Sequence, residues 1–171
     1  MERDATAQGA RVWNDSLAPE PARASCAVLA SDLRAAALQV RVGEVMSPRV
    51  NVTRAEASAA MCAATLTALR LRNTPVVDDR GKLVGIVSVS DLAPGFRVAD
   101  IGSATVGDVM TSPVHALPEG APLAYAMNLL ARSGLRELPV VSSDGVVVGV
   151  VTSNDVLRWV ARGIGYVLPD A

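Results

Sequence analysis

Apolar and polar positions along the chain predict the same order of helix and strands in both halves. In the second half, Leu123, Met127 and Leu130 recur at helical spacing; Pro122 suits a first helical position and Gly134 suits a helix end. Each half is therefore expected to contain one amphipathic helix. In the first half that helix spans roughly residues 56–70, where the same phase is kept by Met61, Ala64 and Ala68.

Two valine-rich runs follow each helix, separated by a polar segment that ends in glycine. The separating segments are residues 78–81 and 142–145. A glycine at the end of such a segment adopts positive φ in a hairpin turn, so each half predicts strand, turn, strand. The second strands, Leu83–Ser88 and Val146–Thr152, are almost wholly apolar and are expected to be covered on both faces.

A further helix is predicted directly after each of these second strands. In the first half it opens at Ser90, and the Pro94-Gly95 pair should cut it short. In the second half it opens at Asn154 and can continue to about Arg162, because a glycine follows there. The two closing helices are therefore expected to differ in length.

The two halves align with each other when the chain is shifted by 64 positions. Val42–Met46 falls on Val106–Met110, and Pro75–Val77 falls on Pro139–Val141. Because the offset does not change across the loops, both halves are expected to share one backbone. The predicted organisation is an N-terminal extension at 1–40, disordered or loosely attached over about 1–20 and helical over about 22–39, a first repeat at 41–100, a second repeat at 101–162 and a C-terminal tail at 163–171.

Composition narrows the classes of function. Of 171 residues, 50% are hydrophobic and 3% aromatic, so a folded, aliphatic core is expected. The formal net charge is −1 and no basic block occurs, which argues against a nucleic-acid partner. Cys26 and Cys62 are isolated and follow no metal-ligand spacing, so reduced thiols are expected. With no signal-peptide pattern at the start and no apolar run near about 18 residues, we expect a cytoplasmic protein that does not enter a membrane.

Candidate chemistry lies where each apolar second strand meets its closing helix. The first copy reads G-I-V-S-V-S-D and ends at Asp91; the second reads G-V-V-T-S-N-D and ends at Asp155. Ser88 and Thr152 place a hydroxyl three residues before each carboxylate, beside the N–H groups of a helix start. Such a corner can hold a phosphate, and the carboxylate can accept from ribose hydroxyls. Helix capping by the same residues is the alternative interpretation.

These motifs resemble paired CBS domains, often called a Bateman module. The resemblance rests on V-G-E-V-M and V-G-D-V-M, on the T-P-V-V and L-P-V-V strands, and on the two motifs that end in Asp. It implies an α/β (α+β) fold of two tandem βαββα repeats related by a pseudo-twofold axis, with the sheets packed together, helices outside and a cleft on either side. It also implies a homodimer and an adenosine ligand, most often AMP, ADP or ATP and less often S-adenosylmethionine or a dinucleotide.

The resemblance further implies a set of ligand-binding positions. Asp91 and Asp155 match the ribose-binding carboxylate, and Ser88 and Thr152 match the hydroxyl near the phosphate. For the apolar positions of the set, core packing is the alternative, and for the basic positions a solvated side chain. The remaining positions are Val50, Val114, Pro75, Val76, Pro139 and Val140 around the adenine, and Arg72 and Arg136 near the phosphate.

Two functions from different classes remain open on the sequence. The first is a regulatory module that senses an adenosine-type nucleotide, with unequal clefts because Asn51 is matched by His115 and Asn73 by Glu137. The alternative is a structural adaptor that dimerises with both clefts empty. Catalysis, a metal and a required cofactor are not expected, because His115 is the only histidine and no metal-ligand spacing or Gly-rich phosphate loop occurs. A regulated protein partner would go with the first function, and the sequence does not name it.

Overall fold

The sequence repeat appears in the structure as two matching three-stranded sheets. The computed structural model describes residues 26–93 and 100–165, so the expectations for residues 1–20 and for Pro94-Gly95 lie outside the described residues. The elements are α1 (Cys26–Gln39), α2 (Val42–Val45), β1 (Thr53–Arg54), α3 (Ala59–Ala68), β2 (Asn73–Val77), β3 (Leu83–Ser88), α4 (Val106–Val109), β4 (Leu117–Pro118), α5 (Leu123–Ser133), β5 (Glu137–Val141), β6 (Val147–Thr152) and α6 (Ser153–Gly163).

Both sheets have the same topology. The short first strand pairs in parallel with the second strand, which pairs antiparallel with the third, giving the orders β1-β2-β3 and β4-β5-β6. Asn73 lies opposite Ser88, and Glu137 lies opposite Thr152. The register therefore brings the start of each middle strand beside the end of the third strand, where the candidate hydroxyls lie.

The predicted hairpin turns are confirmed by their backbone angles. Gly81 has φ +77° and Gly145 has φ +82°, the left-handed conformation that glycine adopts without a steric penalty. Leu83 N–H donates to Gly145 O, and Val147 N–H donates to Gly81 O, both at 3.1 Å. The two hairpins thus join through a reciprocal pair of bonds, which is what a pseudo-twofold relation between the repeats requires.

The two amphipathic helices follow their sequence signals to different degrees. Helix α5 ends at Gly134, which has φ +68°, as predicted, but it begins one residue later than predicted, because Pro122 is its N-cap and not its first residue. Helix α3 is shorter than predicted, because Ser58 caps its start by accepting from Met61 N–H. At its other end Arg70 has a positive φ of 55°, which a continuing right-handed helix does not allow.

The closing segments differ more than the sequence analysis expected. The second repeat forms α6 as predicted, but residues 89–92 of the first repeat form only a turn, so a helix opening at Ser90 is wrong for the described residues. The sequence reason is Pro94, which disfavours helical backbone at the residue before it and donates no N–H. The third strands alternate buried and half-buried residues, so the expected coverage of both faces is met only in part.

Each repeat has its own hydrophobic core, and a short helix from the other repeat completes that core. Val42 of α2 is buried among residues of β5, β6 and α5 in the second repeat. Val106 and Val109 of α4 are buried among residues of β2, β3 and α3 in the first repeat. Val42 N–H donates to Ala121 O and Val106 N–H donates to Ala57 O, each at 2.8 Å. The short helices are therefore exchanged between the repeats.

Each third strand contains a glycine at the place where the exchanged segment crosses it. A Cβ on Gly149 would lie 2.7 Å from both Met46 Sδ and Ser47 O, which is closer than real Cβ contacts. A Cβ on Gly85 would collide with Met110 Sδ in the same way. Glycine is thus required here because the crossing segment lies so close to the strand. A larger side chain at either position would push the two repeats apart.

We expect Gly149→Ala to destabilise the protein by about 1–3 kcal/mol, because the added methyl overpacks the crossing point. The measurement is urea-induced unfolding of the two proteins at one pH. Gly120→Ala is the matched control, because a Cβ at Gly120 meets nothing within 4 Å. If Gly149→Ala unfolds at the same urea concentration as the control, the crossing point is not tightly packed.

Candidate functional site

The strand-to-helix corner of the second repeat is a closed capping box. Thr152 is the N-cap of α6, and its hydroxyl accepts from Asp155 N–H at 3.2 Å. In return Asp155 Oδ2 accepts from Thr152 N–H at 2.8 Å and from Thr152 Oγ1 at 2.7 Å. The capping interpretation of this motif is therefore confirmed, and it accounts for one of the two carboxylate oxygens.

The second carboxylate oxygen of Asp155 has longer contacts. Oδ1 lies 3.5 Å from Ser47 Oγ and 4.0 Å from Arg158 Nη1. Asp155 is only 7% exposed, so Oδ1 is an acceptor in a confined place with capacity for a further donor. Because Ser47 follows the exchanged helix α2, this oxygen lies where the two repeats meet.

The first-repeat corner has the same capping hydrogen bonds, but no helix follows it in the described residues. Asp91 Oδ2 accepts from Ser88 N–H at 2.9 Å and from Ser88 Oγ at 2.6 Å. Asp91 is 8% exposed, close to the value of its counterpart. The local hydrogen bonds of the motif thus form with or without a helix, but a helix start and its dipole are present only at the second-repeat corner among the described residues.

An open cavity of about 450 Å³ lies against the start of α6 and combines residues of both repeats. Arg72 comes from the first repeat, while Arg136 and Glu137 come from the second. The second repeat also supplies Ser153 and Asn154, in the first turn of α6, where backbone N–H groups have no intrahelical acceptor. Two guanidinium groups and a helix start make this cavity a place that favours an anion.

Backbone hydrogen bonds fix Arg136 at the α6 corner and Arg72 at the matched corner of the first repeat. Arg136 O accepts from Ser153 N–H at 3.0 Å, and Arg72 O accepts from Val89 N–H at 2.8 Å. Both side chains are exposed, as the solvated alternative expected, yet they line one cavity instead of two separate clefts. Their exposure leaves the guanidinium donors able to turn towards a bound group.

Glu137 introduces a negative charge into the same cavity. Burial raises the pKa of Glu137; the nearby charge of Asp155 also raises this pKa, while a hydrogen bond with Asn73 opposes the shift. Asn73 Oδ1 is buried and finds no hydrogen-bond partner among the described residues. The matched residues of the two repeats, Asn73 and Glu137, therefore meet in a pair whose polar groups are incompletely satisfied.

The other residues predicted for the site lie at different depths. Val50 and Val114 are half-buried, so each has surface that a ligand could contact. His115 is exposed, and no group of three or more possible metal ligands occurs within residues 26–93 and 100–165. The strand residues predicted to close the adenine site are buried in the cores, which supports the packing alternative for them: Pro75, Val76, Pro139 and Val140.

Sequence reasoning missed four residues of the corner: Ser47, Ser153, Asn154 and Arg158. Ser153 and Asn154 lie inside the quoted motif, so their place in the first helical turn could have indicated them. Ser47 carried no such signal, because nothing in the sequence says that the segment after α2 crosses onto the other repeat.

None of the helices in the described part of the chain is long and apolar enough to span a bilayer.

Comparison with known proteins identifies the class of this fold. The CBS domain family matches residues 42–94 and 106–162, more than half of the chain. The chain therefore belongs to the CBS-domain family, and its two repeats form a tandem pair as the sequence motifs predicted.

Individual relatives agree on the fold. The CBS-pair protein CBSX2 from Arabidopsis thaliana has a TM-score of 0.65 and 30% identity, over 71% of this chain and 94% of that chain. CBSX2 has also been solved in complex with AMP. The CBS domain pair of MJ0100, solved with 5′-methylthioadenosine and S-adenosyl-L-methionine, has a TM-score of 0.60 and 28% identity, over 70% of this chain and 94% of that chain.

Inosine-5′-monophosphate dehydrogenase from Mycobacterium tuberculosis is similar to one part of this chain. The two are 38% identical over 90 residues, which is 52% of this chain. The aligned segment is only 16% of the dehydrogenase. The likeness therefore concerns a small part of that enzyme and carries no dehydrogenase activity to this chain.

We expect Glu137→Gln to raise the thermal unfolding temperature at pH 7, because the ionised carboxylate is held in a desolvated place. A folded-state pKa above the unfolded value of about 4.5 means that the folded protein binds this proton more tightly. Stability should thus fall as pH rises from about 4.5 through the folded pKa, and the variant should lack that fall. Scanning calorimetry from pH 4 to pH 8 measures the difference between wild type and variant.

Glu119→Gln is the matched control for this titration, because Glu119 is an exposed acid of the same repeat. A pH profile for Glu137→Gln that follows wild type would show that Glu137 is not destabilised by its surroundings.

Proposed function

We propose that this CBS pair is a regulatory module that binds an adenosine nucleotide at the α6 corner. The observation that carries the proposal is the single cavity in which Arg72 of one repeat and Arg136 of the other face the helix start at Thr152. Adenosine ligands in CBSX2 and in MJ0100 support the ligand class. The proposed role is binding and signalling, with no catalytic step.

The phosphate of the ligand would lie in the 450 Å³ cavity. Arg72 and Arg136 provide charged donors there, and the first turn of α6 provides the positive end of a helix dipole. Charge-assisted hydrogen bonds from guanidinium to phosphate are about twice as strong as neutral ones. The phosphate would therefore supply most of the attraction, and Thr152 would contact it from the cap.

The ribose would lie on the other side of the same corner. Asp155 Oδ1 can accept from the ribose hydroxyls, because its long contact with Ser47 Oγ is weaker than a hydrogen bond of normal length. The base would then follow the segment after Ser47 towards Val50, whose side chain is half-buried. This arrangement keeps the capping bonds of Asp155 Oδ2 and uses Oδ1, the oxygen that takes no part in the capping box.

Glu137 should make this site selective for a short phosphate chain. Its carboxylate lines the cavity together with the two arginines, so each further phosphate group meets a like charge. We therefore infer that a monophosphate or a less charged adenosine derivative binds better than ATP. The first-repeat corner, with a turn instead of a helix, should bind more weakly.

Ligand binding would act on the relative arrangement of the two repeats. The proposed site joins two adjoining parts. Arg72 and Arg136 line the 450 Å³ cavity, while Ser47 and Asp155 contact each other beside it and line a separate cavity, so each part combines residues of both repeats. A ligand that contacts both repeats stabilises the arrangement in which they are closest, and the free energy available equals its difference in affinity between arrangements. A protein partner that recognises this arrangement would be regulated by the nucleotide.

The structural adaptor is the second candidate function, and the complete capping box favours it. The start of α6 accounts for Thr152 and for Oδ2 of Asp155 without any ligand. The two candidates differ in one measurable property. A nucleotide that binds only the folded protein must raise its unfolding temperature, whereas an adaptor with empty clefts gives no shift.

We expect Arg72→Ala and Asp155→Ala each to weaken AMP binding by about 1.5–3 kcal/mol, the range for hydrogen bonds to charged groups, or roughly 10- to 150-fold in Kd. Titration calorimetry at fixed salt measures both. Asp155→Asn keeps part of the cap and should still lose affinity. Arg132→Ala is the control, because Arg132 is exposed in the last turn of α5 and lies outside the cavity. Unchanged affinity in both alanine variants would reject the proposed site.

We also propose that the chain forms a homodimer through its outer helices. Tyr125 on α5 and Leu157 on α6 are large apolar side chains that are 60% and 64% exposed, and a second copy packed on these helices would cover them. Wild type should sediment as a dimer in the micromolar range, and Tyr125→Glu combined with Leu157→Glu should shift it to monomer. A wild-type monomer with and without AMP would contradict the proposal.

A further inference from the structure

A second cavity lies in the first repeat, between β1 and α3. Its volume is about 400 Å³, within the size range of small-molecule sites. Cys62, Leu66 and Thr74 line it and are buried, whereas Met61 and Val52 line it and are exposed. The cavity therefore runs from an open rim into the core of the first repeat, and none of the described residues lines both this cavity and the one at the start of α6.

The second repeat shows which side chains occupy the matched backbone positions there. At the matched positions its side chains are larger or less polar, and the leucines among them are buried or half-buried in the second core. Three threonines of the first repeat thus replace leucines, which removes volume and adds hydroxyl groups. The matched pairs are Thr53 with Leu117, Thr65 with Leu129, Thr74 with Leu138, and Cys62 with Ala126.

Hydrogen bonds in the cavity wall define what a ligand must provide. Thr74 Oγ1 donates to Asn51 O at 2.5 Å, and Thr65 Oγ1 donates to Met61 O at 3.0 Å. Both hydroxyl protons are thus committed to backbone carbonyls, while the hydroxyl oxygens can still accept. The wall therefore offers acceptors to a ligand that carries a donor.

The described residues that line this cavity carry no formal charge. None of them is Asp, Glu, Lys, Arg or His. Cys62 hydrogen-bonds with the side chain of Thr53, and burial raises the pKa of the Cys62 thiol, which keeps it protonated at neutral pH. A charged ligand would lose its hydration here without a counter-charge, so a neutral ligand is favoured.

We propose that this cavity binds an uncharged small molecule that has an apolar body and one N–H or O–H donor. Leu66, Leu71 and Met61 would contact the apolar body. Thr65 and Thr74 would accept from the donor. All of the described residues that line the site belong to the first repeat, so it does not depend on nucleotide binding at the α6 corner.

Indole is a suitable probe, because it is neutral and apolar and has a single N–H donor. We would label the methionine methyl groups of the full chain with ¹³C and titrate indole while following their NMR signals. The Met61 methyl should shift with saturation, because this side chain lies at the cavity rim, whereas the Met46 methyl at the repeat crossing should not shift. Indene has the same shape without the N–H and should bind about 2- to 10-fold more weakly, the value of one neutral hydrogen bond.

Two variants test whether the response comes from the cavity. Thr65→Leu and Thr53→Leu each introduce the residue that the second repeat has, and either should abolish the Met61 response. Thr67→Leu is the matched control, since Thr67 is exposed on the same helix and does not line the cavity; it should bind indole as wild type does.

Circular dichroism of each variant would confirm that α3 still folds. Two results would overturn the proposal: a Met61 methyl that does not respond to indole in wild type, or leucine variants that are folded and bind indole as wild type does. Titration of AMP into the same samples reports separately on the nucleotide site, so failure of one site is distinguishable from failure of the other.

Discussion

The exchange of the short helices α2 and α4 between the repeats is the interaction on which the rest of the structure depends. Val42 is fully buried in the core of the second repeat, and Val106 is fully buried in the core of the first. Without the short helix of the other repeat, each three-stranded sheet would expose the apolar face that these valines cover. The cost would be roughly 1.5–3 kcal/mol for each side chain. Neither repeat therefore has a complete core alone, and the pair is expected to fold as one cooperative unit.

The same exchange determines the composition of the candidate site. Met46 crosses the third strand of the second repeat at Gly149, and Ser47 then pairs with Val150. This pairing places the Ser47 hydroxyl beside Asp155 Oδ1. The candidate site combines both repeats because of the way the core packs, so a ligand bound there would act on the contact that holds the repeats together.

Much of the fold could be predicted from the sequence because its signals are local. Helix α5 begins and ends within one residue of where Pro122 and Gly134 indicate, and both hairpins turn at glycines with positive φ. The exchange could not be predicted, because V-G-E-V-M and V-G-D-V-M are nearly identical and satisfy the core of either repeat. The function of Thr152 and Asp155 could not be decided either, because a capping box and a ribose-binding corner need the same residue types at the same spacing.

Differences between matched positions carry more information on function than the shared motifs. Both repeats need the glycine, the valines and the capping residues in order to fold, so these residues would be present with or without a ligand. Asn73 and Glu137 occupy matched positions of the two repeats. Only Glu137 brings a poorly solvated charge to the cavity that Arg72 and Arg136 line. The replacement of leucines by threonines around the cavity of the first repeat likewise gives up apolar packing for hydroxyl groups. Because the two backbones correspond, neither change is required by the fold, and the two proposed ligands give a physical reason for each.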